Sequence, residues 1–365
     1  MKTRWLHQAL RRCAFACITA LSLTTACCLT ICYAEEGSTR PLRIGVLLSL
    51  SGDYAAYGVD LLKGIEVGVA ELRQTTAATL LVEDIGTLDA KRSLSASQKL
   101  ITIDKADLVF VFAIDDAKPI VSIFDRAKIP LIVLWDSNEI VKKGGPYLFS
   151  TGFSTEGNGR VIARFFVKWL HGLRLAVVDT PTSYSEMVIR SARAELSALG
   201  ASISFLEQVT DQQPDFKSVI TRLKNTRHDA VFLPLSLPQS AGLFVRQAKQ
   251  LGLKSPLIGT EVFVDDAVRA AGAAADGVYV SWPLASSRAQ LIPKLALRYP
   301  GIKIDPDVAA VGYDGIQILA PALRKSSSGG VMRDELEKVL GPTRCADREM
   351  TVTILQGGKL VALDE

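Results

Sequence analysis

Apolar positions along this chain fall into two kinds of run that alternate. Leu42–Ser49 (LRIGVLLS) is apolar without interruption over the length of a strand, which marks a strand covered on both faces. In the stretch that follows, residues 58–73, Leu61, Ile65, Val69 and Leu72 recur at steps of three and four, the spacing of an amphipathic helix. The alternation then repeats. Strands are predicted at Leu80–Glu83, Leu108–Ala113, Pro130–Trp135, Leu173–Asp179, Ala201–Val209, Ala230–Pro234 and Pro256–Gly259. Helices are predicted between them at 89–103, 117–127, 155–170, 185–199, 215–226 and 239–251. Strand and helix alternating at this spacing define an α/β chain with parallel sheets covered on both faces. One sheet is a poor home for so many strands, so two lobes are expected, with a seam near Tyr147–Thr155 where Gly144-Gly145-Pro146 and Gly152 interrupt the pattern. After Trp282-Pro283 the chain turns mainly helical (286–299, 306–325, 332–340). It ends in two short strands, Met350–Leu355 and Leu360–Leu363, around a Gly357-Gly358 turn.

The N-terminus changes the charge picture. Residues 1–12 are basic, residues 13–34 are uncharged and apolar or small, and Cys32-Tyr33-Ala34 reads as a small-x-small cleavage site. We read residues 1–34 as a secretory signal peptide, with an uncleaved membrane anchor as the alternative. The match to a lipoprotein signal is poor at both Cys27 and Cys32. The whole chain carries +4, but Lys2, Arg4, Arg11 and Arg12 all lie in this segment, which holds no acid. The 42 basic residues less these four leave 38 against 38 acidic ones, so nothing in the remainder draws nucleic acid or an anionic membrane. Five of the six cysteines also leave with the segment; Cys345 alone remains, and is read as a structural residue near a strand or loop. A hydrophobic content of 48% over 365 residues excludes a mainly disordered chain.

Catalytic signals are missing. His171 and His228, the histidines beyond the signal segment, stand at element ends, where a solvated or helix-dipole role is favoured. No His-x-x-x-His pair or cysteine cluster points to a metal. No glycine-rich phosphate loop, dinucleotide fingerprint or Gly-x-Ser-x-Gly elbow occurs, so no cofactor is expected.

One stretch is specific. Ile44-Gly45, Ser51-Gly52 and Gly58, leading into Gly64-Ile65-Glu66, resemble the opening of the periplasmic branched-chain amino-acid-binding proteins, the Leu/Ile/Val-binding solute receptors of ABC importers. Arg246-Gln247-Ala248 with Gly252-Leu253, Tyr184, and Gly259-Thr260-Glu261 are further family-like pieces, and the resemblance covers 42–340. It implies the type 1 periplasmic binding protein fold: two Rossmann-like lobes joined by three crossovers, with the ligand cleft between them. The lobes are then 35–155 with 283–345 and 156–282 with 346–365. It also implies a monomeric, non-enzymatic periplasmic receptor that closes on a small solute and delivers it to a membrane permease and its ATPase.

Carried over residue by residue, the resemblance assigns Tyr57 and Tyr184 to the walls of the ligand pocket. Glu261 is assigned to the ligand ammonium and Ser137 to a hydroxyl bonding both ends of an amino acid; Ser236 stands where the family often supplies another aromatic. The bland alternatives are loop packing for Tyr57 and a helix cap for Glu261. The sequence departs from the family in two places. Trp135 and Asp136 replace small residues before Ser137, narrowing the cleft mouth and adding a negative charge. After the third strand, Ile114 stands where a serine grips the ligand carboxylate, followed by Asp115 and Asp116, which are expected to occupy the helix-start N–H groups as caps. Asp115, Asp136 and Glu261 together make a cleft richer in acid than an amino-acid site needs. The expectation is therefore a solute other than a plain branched-chain amino acid: an amine, an amide or a small neutral aromatic. Trp282 is expected either at the pocket surface or in the hinge core. Two other readings stay open: a sensor of the same fold coupled to a signalling partner, and an exported enzyme using the acid-rich cleft.

Overall fold

The structure is a computed structural model. It describes residues 40–363, apart from 138–140, 142, 211–212, 265–267, 269–270, 284–286, 328–329, 347 and 349, together with the side chains of Ser137 and Val264; the expected signal peptide lies outside the described residues. Two mainly parallel sheets build two lobes. In chain order the first half contributes β1 (Leu42–Leu48), β2 (Ala78–Asp84), β3 (Leu108–Val111), β4 (Leu131–Val133), β5 (Asp136–Ser137), β6 (Leu148–Ser150) and β7 (Phe153–Ser154). The first sheet runs β2-β1-β3-β4-β6, all parallel, while β5 and β7 pair separately. The second half contributes β8 (Arg174–Asp179), β9 (Ser202–Gln208), β10 (Ala230–Leu233), β11 (Leu257–Gly259), β12 (Tyr279–Pro283), β13 (Met350–Gln356) and β14 (Lys359–Ala362). Its sheet runs β14-β13-β12-β11-β10-β8-β9, antiparallel only at the β12-β13-β14 edge.

Burial explains the two strand signatures. Central strands such as β3 and β10 are buried at every position, as continuous apolar runs require. The edge strand β9 alternates exposed and half-buried residues along its whole length, the period-two pattern of one open face. The helices are α1 (Ala55–Leu72), α2 (Ala90–Thr102), α3 (Ile114–Ala117), α4 (Val121–Ala127), α5 (Thr155–Lys168), α6 (Ser183–Ala198), α7 (Lys217–Lys224), α8 (Pro238–Gln250), α9 (Arg288–Arg298), α10 (Pro306–Ser327) and α11 (Met332–Leu340). On α1 the predicted stripe of Leu61, Ile65, Val69 and Leu72 is buried throughout.

The single helix expected over 117–127 is instead two, α3 and α4, separated by Pro119, which has no N–H to continue the ladder. The seam holds strands β6 and β7 rather than a plain break. From it the chain passes to the second sheet at β8, and after β12 it returns to lay α9 and α10 against α1. That return needs glycine. A Cβ at Gly64 would stand 1.8 Å from the Ala309 carbonyl oxygen, and one at Gly312 would stand 2.3 Å from that of Leu61. The two helices therefore meet backbone to backbone. The chain then crosses once more, through bridges from Ser150 to Cys345 and from Phe153 to Arg348, into β13. Cys345 is buried there, against the strand as expected. Beside it Arg348 and Asp314 form an ion pair whose side chains are both under a tenth exposed.

Candidate functional site

Loops from the carboxyl ends of both sheets converge on one cavity of about 80 Å³, the position where open α/β sheets leave a crevice. The first loop leaves β1 and is pinned by Asp84, which accepts from the Leu50 N–H (3.0 Å) and the Ser51 hydroxyl (2.6 Å). Burial opposes the Asp84 charge. Hydrogen bonds from Ser51, from the Gly86 and Leu50 N–H groups and from Arg92 override it and hold the carboxyl down at about 2. The pinned loop, turning at Gly52 (φ +82°), delivers Tyr54 and Tyr57 at the start of α1. Their hydroxyls donate across the cleft, Tyr54 to the Ser236 carbonyl (3.2 Å) and Tyr57 to the Val262 carbonyl (3.1 Å).

The ends of β3 and β4 supply the apolar wall. Trp135 lies edge-on to Tyr57, with ring centroids 5.2 Å apart, and tilts against Phe112 at 5.7 Å. Behind it Trp282 packs edge-on at 6.4 Å. Trp135 is 7% exposed, so it forms the wall of the cavity rather than narrowing its mouth. Trp282 is buried behind that wall.

The acids sort by partner. The aspartates at α3 do not cap it: its N-cap is Ala113, without a side-chain bond. The Ile114 N–H donates instead to Asp136 Oδ1 at 2.8 Å, in a buried contact. The Ile114 side chain is buried in the core behind the first sheet, so its backbone is what meets the site. Asp115 is paired with Lys118 at 2.6 Å, and the same ammonium donates to the Ser183 hydroxyl on the opposite side of the cleft. Asp116 is 2% exposed, lines the cavity, and neither carboxylate oxygen has a hydrogen-bond partner among the described residues. Burial drives Asp116 up to about 7. The nearby Ala113 backbone tempers the rise and the Asp115 charge adds to it. Burial also carries Asp136 up to about 7, against the Ile114 N–H and with the repulsion of Asp115, Glu261 and Asp116.

From the second sheet come Thr182 and Tyr184 after β8, Ser236 after β10 and Glu261 after β11. Glu261 starts a short 3-10 turn, and its side chain reaches donors on other elements. Oε2 accepts from the Tyr184 hydroxyl (2.8 Å) and from Asn158 Nδ2 on α5 (2.9 Å). Burial raises Glu261 to about 7 despite those donors and the Trp135 indole, and burial together with Glu261 pushes the Tyr184 phenol well above its ordinary value. The Ser236 hydroxyl lies 2.7 Å from Thr180 Oγ1 and 3.2 Å from Thr182 Oγ1.

Around this cavity the structure thus gathers Tyr57, Asp115, Trp135 and Asp136 from one side, and Tyr184, Ser236 and Glu261 from the other. The Ser137 hydroxyl lies outside the described residues. Sequence reading passed over Tyr54, Phe112 and Thr182, all in loops that follow strands, and Asn158, a polar residue on an amphipathic helix with no motif to mark it. His228 bridges the Thr226 carbonyl (2.9 Å) and Ser255 (2.8 Å) away from the cavity, a structural role. Among the described residues no group of His, Cys, Asp and Glu is arranged to hold a metal ion, and no helix is long and apolar enough to cross a membrane.

The family model for periplasmic binding proteins matches residues 41–341. The chain belongs to that family of solute-binding, non-enzymatic proteins. It is 22% identical over 328 residues to the Leu/Ile/Val-binding protein of Citrobacter freundii, covering 86% of this chain and 89% of that one. It is also 22% identical over 306 residues to the leucine-specific-binding protein of Salmonella typhimurium, covering 82% and 83%. Among solved structures, the branched-chain amino acid transporter substrate-binding protein of Streptococcus pneumoniae in complex with isoleucine superposes with a TM-score of 0.78 at 20% identity, covering 88% of this chain and 98% of that one. An ABC transporter solute-binding protein of R. palustris in complex with benzoate gives 0.76 at 22% identity, covering 89% and 96%. At these identities the superpositions establish the type 1 periplasmic binding fold.

Proposed function

We propose that this chain is the periplasmic receptor of an ABC importer, which captures an amino acid or a related small solute between its lobes and presents it to a membrane permease and its ATPase. The observation that carries this reading is the cavity itself. Rings of Tyr57, Trp135 and Tyr184 line it together with buried carboxylates, of which Glu261 is held by two neutral donors. Such a site binds and orients an ammonium group against an apolar body. In this reading Ser236 supplies a polar contact, Ser137 is a further candidate for one, and Asp115 with Lys118 joins the two sides when the lobes close. The names of the curated relatives, and the isoleucine and benzoate of the solved ones, support small amino acids and aromatic acids as the range to screen. We assign 35–155 with 283–345 to one lobe and 156–282 with 346–365 to the other, because α9 and α10 return to α1 while β13 and β14 extend the second sheet. Residues 1–34 serve as the export signal, and the receptor acts as a monomer.

A thermal-shift screen of common amino acids, their amides and amines, and small aromatic acids tests the reading. A solute at 100 times its dissociation constant adds about 2.7 kcal/mol of stability by mass action. A shift that Glu261→Gln abolishes is expected. Shifts that persist unchanged in Glu261→Gln, or no shift across the whole panel, refute it.

A further inference from the structure

Resting on that reading, we infer that the solute is an organic amine that carries no carboxylate: an ammonium group on an apolar or aromatic body. A carboxylate-bearing solute needs a cation or a set of unoccupied N–H donors to receive it. Among the described residues that line the cavity there is no Lys, Arg or His. The Lys118 ammonium beside it is held by Asp115, which lines the cavity, and by Ser183. The N–H that opens α3 is occupied by the protein's own Asp136 carboxylate. That side chain takes a donor that an incoming carboxylate could otherwise have used.

The charge that the cavity lacks is positive. Asp116, Asp136 and Glu261 are each at least 98% buried and all line it. Asp136 and Glu261 have donors, but Asp116 has none on either oxygen among the described residues, and a buried carboxylate without a partner is a costly arrangement unless a cation or donor meets it. An ammonium supplies three donors on one centre, which suits several converging carboxylates. The walls that remain, Tyr54, Tyr57, Phe112 and Trp135, suit an apolar body, and their faces favour a cation. Above neutral pH, where Asp116 and Asp136 ionise, a zwitterionic amino acid would bring its own carboxylate against them, and the low dielectric amplifies the repulsion.

Binding is linked to pH. The titratable groups that line the cavity with Asp116 are Asp115, Asp136 after β4, Glu261 after β11, and the phenols of Tyr54, Tyr57 and Tyr184; Lys118, at the end of α3, pairs with Asp115. A bound ammonium favours ionised carboxylates that burial otherwise holds protonated up to about 7. Amine affinity therefore rises with pH toward neutrality and levels off above it.

Titration calorimetry on the purified full-length chain tests this with matched pairs: phenethylamine against L-phenylalanine, and isopentylamine against L-leucine, with benzoate as a fifth probe. Each amine is expected to bind about 30-fold or more tightly than its amino acid, the scale of one lost or repelled buried charge contact. Asp116→Asn is expected to weaken amine binding by a similar factor while its unliganded melting temperature does not fall above neutral pH, which separates lost binding from lost folding. Amino acids or benzoate binding as tightly as the amines, or amine affinity indifferent to Asp116→Asn, overturns the inference and leaves the receptor reading standing. If none of the five binds, the inference also falls; the broader screen of the preceding section then decides the receptor reading separately.

Discussion

Asp116 gives a stability prediction that needs no ligand. Its carboxyl is raised from the ordinary 3.8 to about 7 because it is buried, with the Asp115 charge adding to the rise and the Ala113 backbone tempering it. The sign follows from proton counting. Between these two values the folded chain holds a proton on Asp116 that the unfolded chain has released. Stability from this group is therefore greatest below 3.8, falls as pH rises through the window, and is flat above about 7. Each pH unit inside the window is worth about 1.4 kcal/mol. From pH 5 to pH 8 only the two units below 7 count, so Asp116 costs the native state roughly 2.7 kcal/mol over that interval. Asp116→Asn removes the titration and leaves a buried amide that is itself under-partnered, at about 1–3 kcal/mol independent of pH. The variant is therefore expected to be the less stable protein near pH 5. Relative to wild type it should gain about 2–3 kcal/mol by pH 8. Removing the Asp116 charge also relieves Asp136, which pushes the same way. Urea denaturation of both proteins at the two pH values measures the difference. A variant-minus-wild-type difference that moves by less than about 0.5 kcal/mol, within the error of additivity, refutes the argument that Asp116 is buried and unpaired.

Three further perturbations follow from the packing. Tyr184→Phe removes one of the two donors to Glu261 Oε2; it should push that carboxyl further up and weaken binding of an ammonium-bearing solute by about 1.5 kcal/mol in calorimetry, with an unchanged affinity counting against the Glu261 role. Arg348→Met strands the buried Asp314 charge and should cost about 3–5 kcal/mol in denaturant melts, and adding Asp314→Leu should recover more than half of it. Gly64→Ala forces α1 away from the Ala309 carbonyl and should destabilise by about 3 kcal/mol, visible as a lowered midpoint at unchanged slope.

The elements that the sequence disclosed are those whose burial is either continuous over a strand, as in β3 and β10, or periodic. The stripe on α1 and the alternation along β9 each repeat often enough to define a face. What escaped was short or set by a neighbour. β6 is three residues long and sits among glycines, and β12 ends in Pro283, so neither produces a run that stands out from a loop. The division of 117–127 was available in Pro119, yet the apolar spacing on either side of it suggested one helix.

The cleft shows the same limit more sharply. Residues that follow strand ends were legible as candidates, because parallel strands deliver their carboxyl-end loops to one place. Their partners were not. The bond from the Ile114 N–H to Asp136 spans 22 residues, and that from Asn158 to Glu261 spans 103; no local spacing encodes either. Counting acids in the loops placed Asp115, Asp136 and Glu261 in the cleft but left out Asp116, which lines it too, and could not show how each is paired. Asp115 carries its own counter-ion, Asp136 answers a backbone donor, Glu261 is held by a phenol and an amide, and Asp116 faces the cavity with neither oxygen hydrogen-bonded among the described residues. Charge in a loop becomes chemistry only after burial and pairing have cancelled most of it. In this cleft the Asp116 carboxylate, which the sequence offered as a helix cap, is the charge left over for a solute to meet.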